Sequence, residues 1–563
     1  MIYLKKQAQM NNFVKKGLDL LTRRQTSILS AAFIIMATVI LSQLLGLIRQ
    51  RLLLGIFGAS NTLGIYLYAS QLPDTLFQLT IASAISTAFI PVFSGYLARG
   101  EEKEAHKMAS TLLAIGLSVF AVLSVILMIF ASSFLQLFNL GGNFSASDMA
   151  LMVNLMRIII FGQLLFIIGT FFTALLQSYN HFFIPGIAAA LYNLGIIIGV
   201  VVFSGMFGIY AATIGVIIGG IIFVLVQLPL AKKVGFSFRP SLAHLKSDGV
   251  TTVAKLMWPR TIAIVVMQLG TVAVGAFISF LSDPGRMNVI FDCAKTLAFA
   301  PVSLFGATIA QAAFPVLSRE KDKLDEFKTT FMNSFNQMLY LILPVSVLIL
   351  VLRIPVVRLV YGSSKFDWPA TVLTGETLAF FCISIFAQAL ILLVLRGFYA
   401  LHDTKIPLII NSVATVFLLA LAYYFIIINH QGVTSLAIAF TIQSIVQLII
   451  MFILLERKIG RFKKWSLFVS WGKIFVSSLF TAFALYIPIK LLDQLVFDTT
   501  HTINLIILTG ISSLAGLSLY LFLTWFFDVK EASIYILAIK KLGNWRDILG
   551  RSDEVLEGGK LNP

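Results

Sequence analysis

Apolar stretches about as long as a membrane-crossing helix follow one another along nearly the whole chain. Runs at 159–176, 186–204 and 407–428 are clear examples. Strict alternation of apolar and polar positions is absent, which favours helices over strands and argues against an outer-membrane barrel. A bilayer core offers no water to the backbone, so a crossing segment must satisfy its own N–H and C=O groups. A helix near 20 residues long does so and spans the hydrocarbon. The pattern predicts about 14 spans, near 27–57, 61–97, 107–138, 149–179, 182–205, 208–231, 250–281, 286–317, 328–352, 370–400, 406–429, 433–455, 467–492 and 502–527. The second, fourth, eighth and tenth are long enough to tilt or to extend beyond the membrane.

The order of spans is partly duplicated. Residues 88–94 read AFIPVFS and residues 312–318 read AAFPVLS, 224 positions later. QSYNHFFIP ends at Pro185 and GFYALHDTKIP ends at Pro407, 222 positions later. Two motifs in one order at nearly one spacing predict two related halves. An even number of spans per half makes the copies parallel, related by an axis along the membrane normal. The predicted class is an all-α polytopic membrane protein with two parallel six-helix lobes plus two C-terminal helices. Its expected segments are a basic stretch at 1–26, a first lobe at 27–231, a linker at 232–249, a second lobe at 250–456, two further spans within 457–527, and a tail at 528–563.

Composition agrees: 58% of residues are hydrophobic, 12% are charged, and mean hydropathy is +0.94. The net charge of +17 alone would suit nucleic acid, but its distribution does not. With the N-terminus inside, cytoplasmic segments gather Lys5, Lys6, Lys15, Lys16, Arg23, Arg24, Lys232, Lys233, Arg457, Lys458, Lys540 and Lys541. The outer loops 139–148, 206–208, 429–432 and 493–501 contain no Lys or Arg. This is the positive-inside bias, and it predicts cytoplasmic termini. The basic stretch at 1–26 lacks the order of a signal peptide and reads as a segment lying on the inner membrane surface. Cys293 and Cys382 lie in apolar runs with no metal spacing and read as small buried residues.

An ionisable residue inside a span is costly and therefore a functional candidate. Arg49 and Arg51 interrupt LSQLLGLIRQRLLLGIFG, about 200° apart on a helix. One can face a cavity while the other snorkels outward, with Arg49 read as the inward one; the alternative is that both snorkel. Arg260 follows Pro259 near the start of span 7, where a snorkelling Arg is the plainer reading. Lys295 stands three residues after Asp292 in span 8, so the two can pair on one face. Arg157 lies some distance into span 4. Asp74 and Glu376 are lone carboxylates, each either near an interface or a proton or cation site. The excess of cations over acids points to an anionic substrate, and Arg suits phosphate through its planar fork.

IFGASNTLGIYLYASQLPDTLFQL, AFIPVFSGYL, SYNHFFIP, AFAPVSLFGATIAQAAFPVLSRE and GFYALHDTKIP together resemble the MurJ (MviN) lipid II flippases of the multidrug/oligosaccharidyl-lipid/polysaccharide exporter superfamily. The resemblance covers roughly residues 30–430 and is most specific at GFYALHDTKIP. It implies a V-shaped pair of lobes around a cationic cavity and alternating access. It implies binding of the pyrophosphate-sugar head of lipid II, with spans 13 and 14 forming a groove for the lipid tail. Of the family's two span-1 arginines, the second is Arg49 and the first position holds Gln43. The acidic residue that follows is replaced by Gln50. A span-2 arginine aligns with Phe77 and a span-2 aspartate with Gly64. The span-8 Asp-Arg pair aligns with Lys295 and Thr296. The family's sodium-site carboxylates have no evident match; Asn411 remains, with Thr415 one turn later.

The leading expectation is a lipid II flippase of the bacterial cytoplasmic (inner) membrane, a transporter and not an enzyme. Arg49, Arg260, Lys295 and Gln43 are its substrate-side candidates. Asn411, Thr415 and Glu376 are candidates for an ion or proton site. No cofactor is expected, no metal is identified, and coupling to membrane potential, Na+ or H+ is open. The expected partners are lipid II and membrane lipids, with no nucleic acid, and the chain is expected to act as a monomer. Two alternatives stand beside it. One is a flippase or exporter for another polyprenyl-linked glycan or a small molecule. The other is a polyprenyl-dependent glycosyltransferase, against which the short outer loops and scattered carboxylates argue.

Overall fold

A computed structural model describes residues 28–82, 88–139, 142–239, 245–460, 464–495 and 502–532. The basic stretch at 1–26 and the tail beyond 532 lie outside the described residues. Among those described, there is helix and no strand. In the first half run α1 (Ile28–Phe57), α2 (Asn61–Phe77), α3 (Ile90–Ala98), α4 (Glu102–Ile129), α5 (Ala131–Gln136), α6 (Ala146–Ser178), α7 (Phe183–Phe207) and α8 (Tyr210–Lys233). The second half continues with α9 (Asp248–Ile278), α10 (Pro284–Pro301), α11 (Ala307–Arg319), α12 (Leu324–Val351), α13 (Arg353–Tyr361), α14 (Trp368–Ala400), α15 (Lys405–Tyr423) and α16 (Thr434–Ile459). Last come α17 (Lys464–Leu495) and α18 (Thr502–Phe526).

Twelve helices among the described residues are long and apolar enough to cross a membrane. That is two fewer than the roughly 14 expected. The expected second span begins as α2, which runs only 17 residues before a π-helical segment, Gln78–Ala82. The expected seventh begins in α9, where the apolar stretch counted is Ile264–Ile278. Outward faces are as apolar as the interior: Met206 is 77% exposed and Ile503 72%. Such surfaces suit lipid, where helix faces need no polar coat.

The halves repeat in backbone detail. The π segment Gln78–Ala82 has a twin, Val302–Gly306, 224 positions later. Asn180, with φ 61°, is matched by His402, with φ 57°, 222 positions later. The turns around them use the same bonds: His181 N–H to Leu176 C=O at 2.9 Å, and Asp403 N–H to Phe398 C=O at 2.9 Å. The N-cap of α6 is Ser145, whose hydroxyl accepts from Asp148 N–H at 3.1 Å in a capping box. Asp367, again 222 positions on, caps α14 through Ala370 N–H at 2.8 Å. A cap of this kind satisfies helix N–H groups that have no partner inside the helix.

By packing, the chain falls into two compact units. One holds the residues through Cys293 with Val360–Thr374 and Thr415–Ala439. The other holds Ala294–Leu359, Gly375–Ala414 and the chain from Phe440. In the first unit α7 and α8 approach backbone to backbone. Gly195 meets Gly219 and Gly199 meets Gly215, so a Cβ at either helix would collide with the other's main chain. Small residues four apart allow this close approach, which is how helices gain packing energy in lipid. The segment after α13 is tied to α1 by Lys365 Nζ to Ile56 C=O at 2.6 Å. Arg286 Nη2 donates to both Asp367 oxygens at 2.9 Å. Burial pushes the Asp367 carboxyl up, but Ala370 N–H and Arg286 outweigh it and hold the group below its ordinary range.

In the second unit, α17 and α18 are fastened to α12. Tyr520 Oη donates to Tyr340 C=O at 2.7 Å, and Tyr340 Oη lies 3.2 Å from Thr524 Oγ1. Trp471 donates Nε1 to Asn336 at 2.9 Å and packs on Phe335. Trp525 is 65% exposed, as an interfacial residue would be. Asp403 caps α15 through Lys405 and Ile406 N–H, each at 3.1 Å, and accepts from Lys458. Burial raises the Asp403 carboxyl, but Lys458 and these N–H groups pull it below the usual carboxylate range.

Candidate functional site

Arg49 interrupts the apolar face of α1, and the structure gives it a neutral partner. Its Nη1 donates to Asn193 Oδ1 on α7 at 3.0 Å. The Asn193 amide nitrogen turns back to α1 and donates to Ser42 C=O at 3.2 Å. Gly46, one turn before Arg49, leaves room for that amide. Asn193 therefore fixes both the helix pair and the guanidinium.

The charge of Arg49 is felt by three further groups, Tyr66 and Asp74 of α2 and Tyr192 of α7. Asp74 accepts from Gln163 Nε2 of α6. Gln163 is only 6% exposed, and its Oε1 is buried without a hydrogen-bond partner. Asp74 itself is exposed while Tyr66 beside it is buried. The carboxylate thus stands at the accessible end of a buried polar cluster built from α1, α2, α6 and α7. The chemistry available is anion binding by a guanidinium and proton binding by a carboxylate. Among the described residues there is no group of three His, Cys, Asp or Glu able to hold a metal ion.

An aromatic wall borders this cluster. Phe166 meets Phe77 edge-on at 5.0 Å, stacks on Phe223 at 4.9 Å and lies 4.7 Å from Tyr192. Phe77 is the position that aligns with a family arginine, and here it is 7% exposed within packed rings. Gly64, aligned with a family aspartate, packs on the Gly285 backbone, where no side chain fits. Both departures are therefore accommodated by repacking of the first unit.

The other sequence candidates scatter. Gln43 is exposed on α1, six residues before Arg49. Gln50 donates to Asp292 Oδ2 at 3.4 Å, so the expected partner of Lys295 also meets α1. Lys295 is half-buried on α10. Arg260 lies in α9, with its side chain outside the described residues. Arg157, expected at depth, donates to Met128 C=O at the end of α4 (3.2 Å), a helix-end contact. Glu376 is exposed on α14. Asn411 Oδ1 accepts from Gln447 Nε2 at 2.6 Å, and Gln447 Oε1 accepts from Gln443 at 2.5 Å. Thr415 stands against Gly270, in the other unit from Asn411. Cys293 and Cys382 are free and buried, as expected.

The sequence marks Asp74 as a lone carboxylate, near an interface or a proton or cation site, but passes over Gln163, Asn193, Tyr66 and Tyr192. A signal was present. Gln163 and Asn193 each interrupt an apolar run, and Tyr66 and Asp74 stand two turns apart on one helix, within about 80° of the same face.

Comparison with known proteins places the chain. The family model described as "Lipid II flippase MurJ" matches residues 54–507. The "Probable lipid II flippase MurJ" of Buchnera aphidicola subsp. Acyrthosiphon pisum is 28% identical over 440 residues, covering 76% of this chain and 83% of that protein. The "Lipid II flippase MurJ" of Burkholderia cenocepacia is 27% identical over 410 residues, covering 70% of this chain and 78% of that protein. A solved structure described as "Lipid II flippase MurJ, inward closed conformation" shares the fold with a TM-score of 0.70 at 21% identity, across 87% of this chain and 98% of its own. An inward-facing multidrug resistance MATE transporter shares it at 0.62 and 13% identity, across 76% and 98%. With the family model spanning most of its length, and the helical fold matched in turn, this chain belongs to the MurJ family of lipid II flippases.

Proposed function

We propose that this chain moves lipid II from the inner to the outer leaflet of the bacterial cytoplasmic membrane by alternating access. Arg49 carries the reading. It is a half-buried guanidinium within an apolar helix of a lipid II flippase family member, and Asn193 engages only one of its N–H donors in the bond described. The remaining fork suits two oxygens of a pyrophosphate. Lys295, Arg260 and Gln43 stay as further substrate-side candidates, two cationic and one neutral. The lipid tail stays in hydrocarbon along α17 and α18, whose outer faces expose Phe483 (58%) and Leu514 (69%).

The Lys and Arg bias supports cytoplasmic termini and two parallel lobes at 27–231 and 250–456. The inside-negative potential resets a cationic site, since one charge moved through 100 mV is worth about 2.3 kcal/mol. Asn411, Thr415 and Glu376 stay as candidates for a coupling ion. The protein acts as a monomer in this reading.

The test is reconstitution with labelled lipid II, alongside complementation of a strain depleted of its own flippase. Wild type restores growth and binds the lipid; Arg49→Ala, expressed to the same level, does neither. Unchanged binding and complementation by Arg49→Ala overturns the site. A second reading, another polyprenyl-linked glycan as cargo, draws support from Phe77, whose packed ring removes a positive charge that relatives carry. Failure of well-expressed wild type to complement, with retained binding of a different polyprenyl-pyrophosphate glycan, favours it.

A further inference from the structure

We propose that Asp74 is a proton-binding counter-charge that sets whether Arg49 is available to an anionic head group. Ionised, it offsets the guanidinium; protonated, it leaves Arg49 to the phosphate. The proposal rests on the reading of Arg49 as the head-group site and adds a proton to that site's cycle.

Three observations support it. The first is placement: Asp74 and Arg49 interact electrostatically within one cluster, although the Arg49 hydrogen bond goes to the uncharged Asn193. The second is Gln163. It donates to Asp74 through Nε2, while its Oε1 is buried with no donor. A primary amide offers two donors on one side and an acceptor on the other, and their assignment depends on the network around them. With Asp74 ionised, the amide donates. With Asp74 protonated, the flipped amide accepts the carboxyl O–H, its NH2 then taking the place where the oxygen now lies without a donor. Gln163 can therefore satisfy either state. The third is exposure: the Asp74 side chain reaches the surface where Tyr66 and Gln163 are buried.

Among the described residues the surrounding helices add no second cation that acts on Asp74, the Arg260 side chain of α9 lying outside them. Tyr66 on α2 and Tyr192 on α7 are the other titratable groups that act in the cluster. The α9 helix meets α2 through the uncharged Gly275 and Thr271. The α4 helix has no ionisable residue between Met108 and Ile129. On α6 the ionisable residues are Asp148 and Arg157, which serve the N-cap and the end of α4. Arg49 is thus the one cation acting on Asp74 in this set.

Linkage fixes the sign. If protonation of Asp74 favours the anion, the anion favours protonation of Asp74 by the same factor. Head-group binding takes up a proton, and release of the head group gives it back. Affinity is highest at low pH and falls as pH rises through the titration of Asp74, by at most tenfold per pH unit for a single proton.

The experiment uses the full chain in nanodiscs with fluorescent lipid II. Affinity is measured between about pH 5.5 and pH 8.5, and proton uptake on lipid addition is read with a pH dye in weak buffer. Wild type is expected to lose roughly fivefold or more in affinity across that range and to take up protons on binding. Asp74→Asn, neutral at every pH, is expected to bind with flat pH dependence and no uptake. Asp74→Glu should keep both. A pH dependence and uptake that persist in Asp74→Asn overturn the proposal, as does wild type with neither. Should Asp74→Asn fail to fold, the wild-type uptake and the Asp74→Glu profile decide alone. Arg49→Ala separates the two claims. If it binds like wild type, the head-group reading fails. If it loses binding while Asp74→Asn keeps the wild-type pH profile, only the proton proposal fails.

Discussion

The first and second copies of the repeat share two turns and one π segment but not their interiors, and the second has a π segment of its own at Tyr424–Ile428. Arg49 and Asp74 have the small residues Ala273 and Ala298 at offset 224, and Gln163 and Asn193 have Ile385 and Thr415 at offset 222. The second copy has its own polar chain, Gln443–Gln447–Asn411, with Gln388 on Ser444 at 2.5 Å. Its positions fall where the first copy has Ile221, Leu225, Ala189 and Phe166. Charge lies in one interior and amides in the other. The backbone irregularities at these equivalent positions are kept while the side chains around them differ.

The comparison breaks most severely at the helix crossings. Gly195 and Gly199 of α7 allow backbone contact with α8, whereas the second copy has Phe417 and Leu421 at those positions. Gly195→Leu, which imposes the second copy's bulk on the first, should cost roughly 3 kcal/mol by overpacking. A fall in the thermal unfolding midpoint in detergent, or loss of monodisperse protein, reads it. Phe417→Leu should cost far less.

Next comes the charge itself. Arg49→Ala should weaken lipid II binding roughly 10- to 100-fold, the worth of a charge-assisted hydrogen-bond pair. Gln447→Leu in the other interior should leave that affinity unchanged and lower stability by about 1–2 kcal/mol, because Asn411 and Gln443 lose a partner. Equal effects of the two variants on binding would erase the distinction between the copies.

A smaller effect is expected at the turns. Asp403→Ala removes the cap of α15 and the contact with Lys458 and should cost about 1–2 kcal/mol. The smallest lies at the α14 cap. Asp367 is held below its ordinary range, so it stabilises the fold above that range, and the contribution disappears as pH falls through the depressed value. Its twin, Ser145, does not titrate. Asp367→Ser should therefore flatten the acid limb of a stability-versus-pH curve by lowering the neutral plateau toward the acid value. An unaltered acid limb would show that Arg286 and Asp367 contribute nothing measurable.

Much of the architecture was legible because it depends on composition and spacing. The 222- and 224-residue offsets marked the same turns and π segments that the backbone shows. The span count was less secure. Apolar length in 61–97 reads as one helix, but α2 stops after 17 residues, where the backbone changes to π geometry. Arg49 was legible because a charge inside an apolar helix is costly enough to stand out. Its neighbours were not. Gln163 and Asn193 are inexpensive to bury one at a time, and only the meeting of α1, α2, α6 and α7 makes them a cluster. Phe77 and Gly64, set against charged family positions by resemblance, lie in a ring stack and against the Gly285 backbone, surroundings that only the folded chain displays.

The paired π segments also carry a date. A π turn is commonly the trace of one residue inserted into an α-helix, and it rotates everything beyond it by about 100° relative to what came before. Both copies have it at equivalent positions, Gln78–Ala82 and Val302–Gly306. One inherited insertion explains this more simply than two independent ones. The ancestral half-length chain was therefore already bent there before its gene was doubled, and it passed the kink to both descendants while their interiors went separate ways.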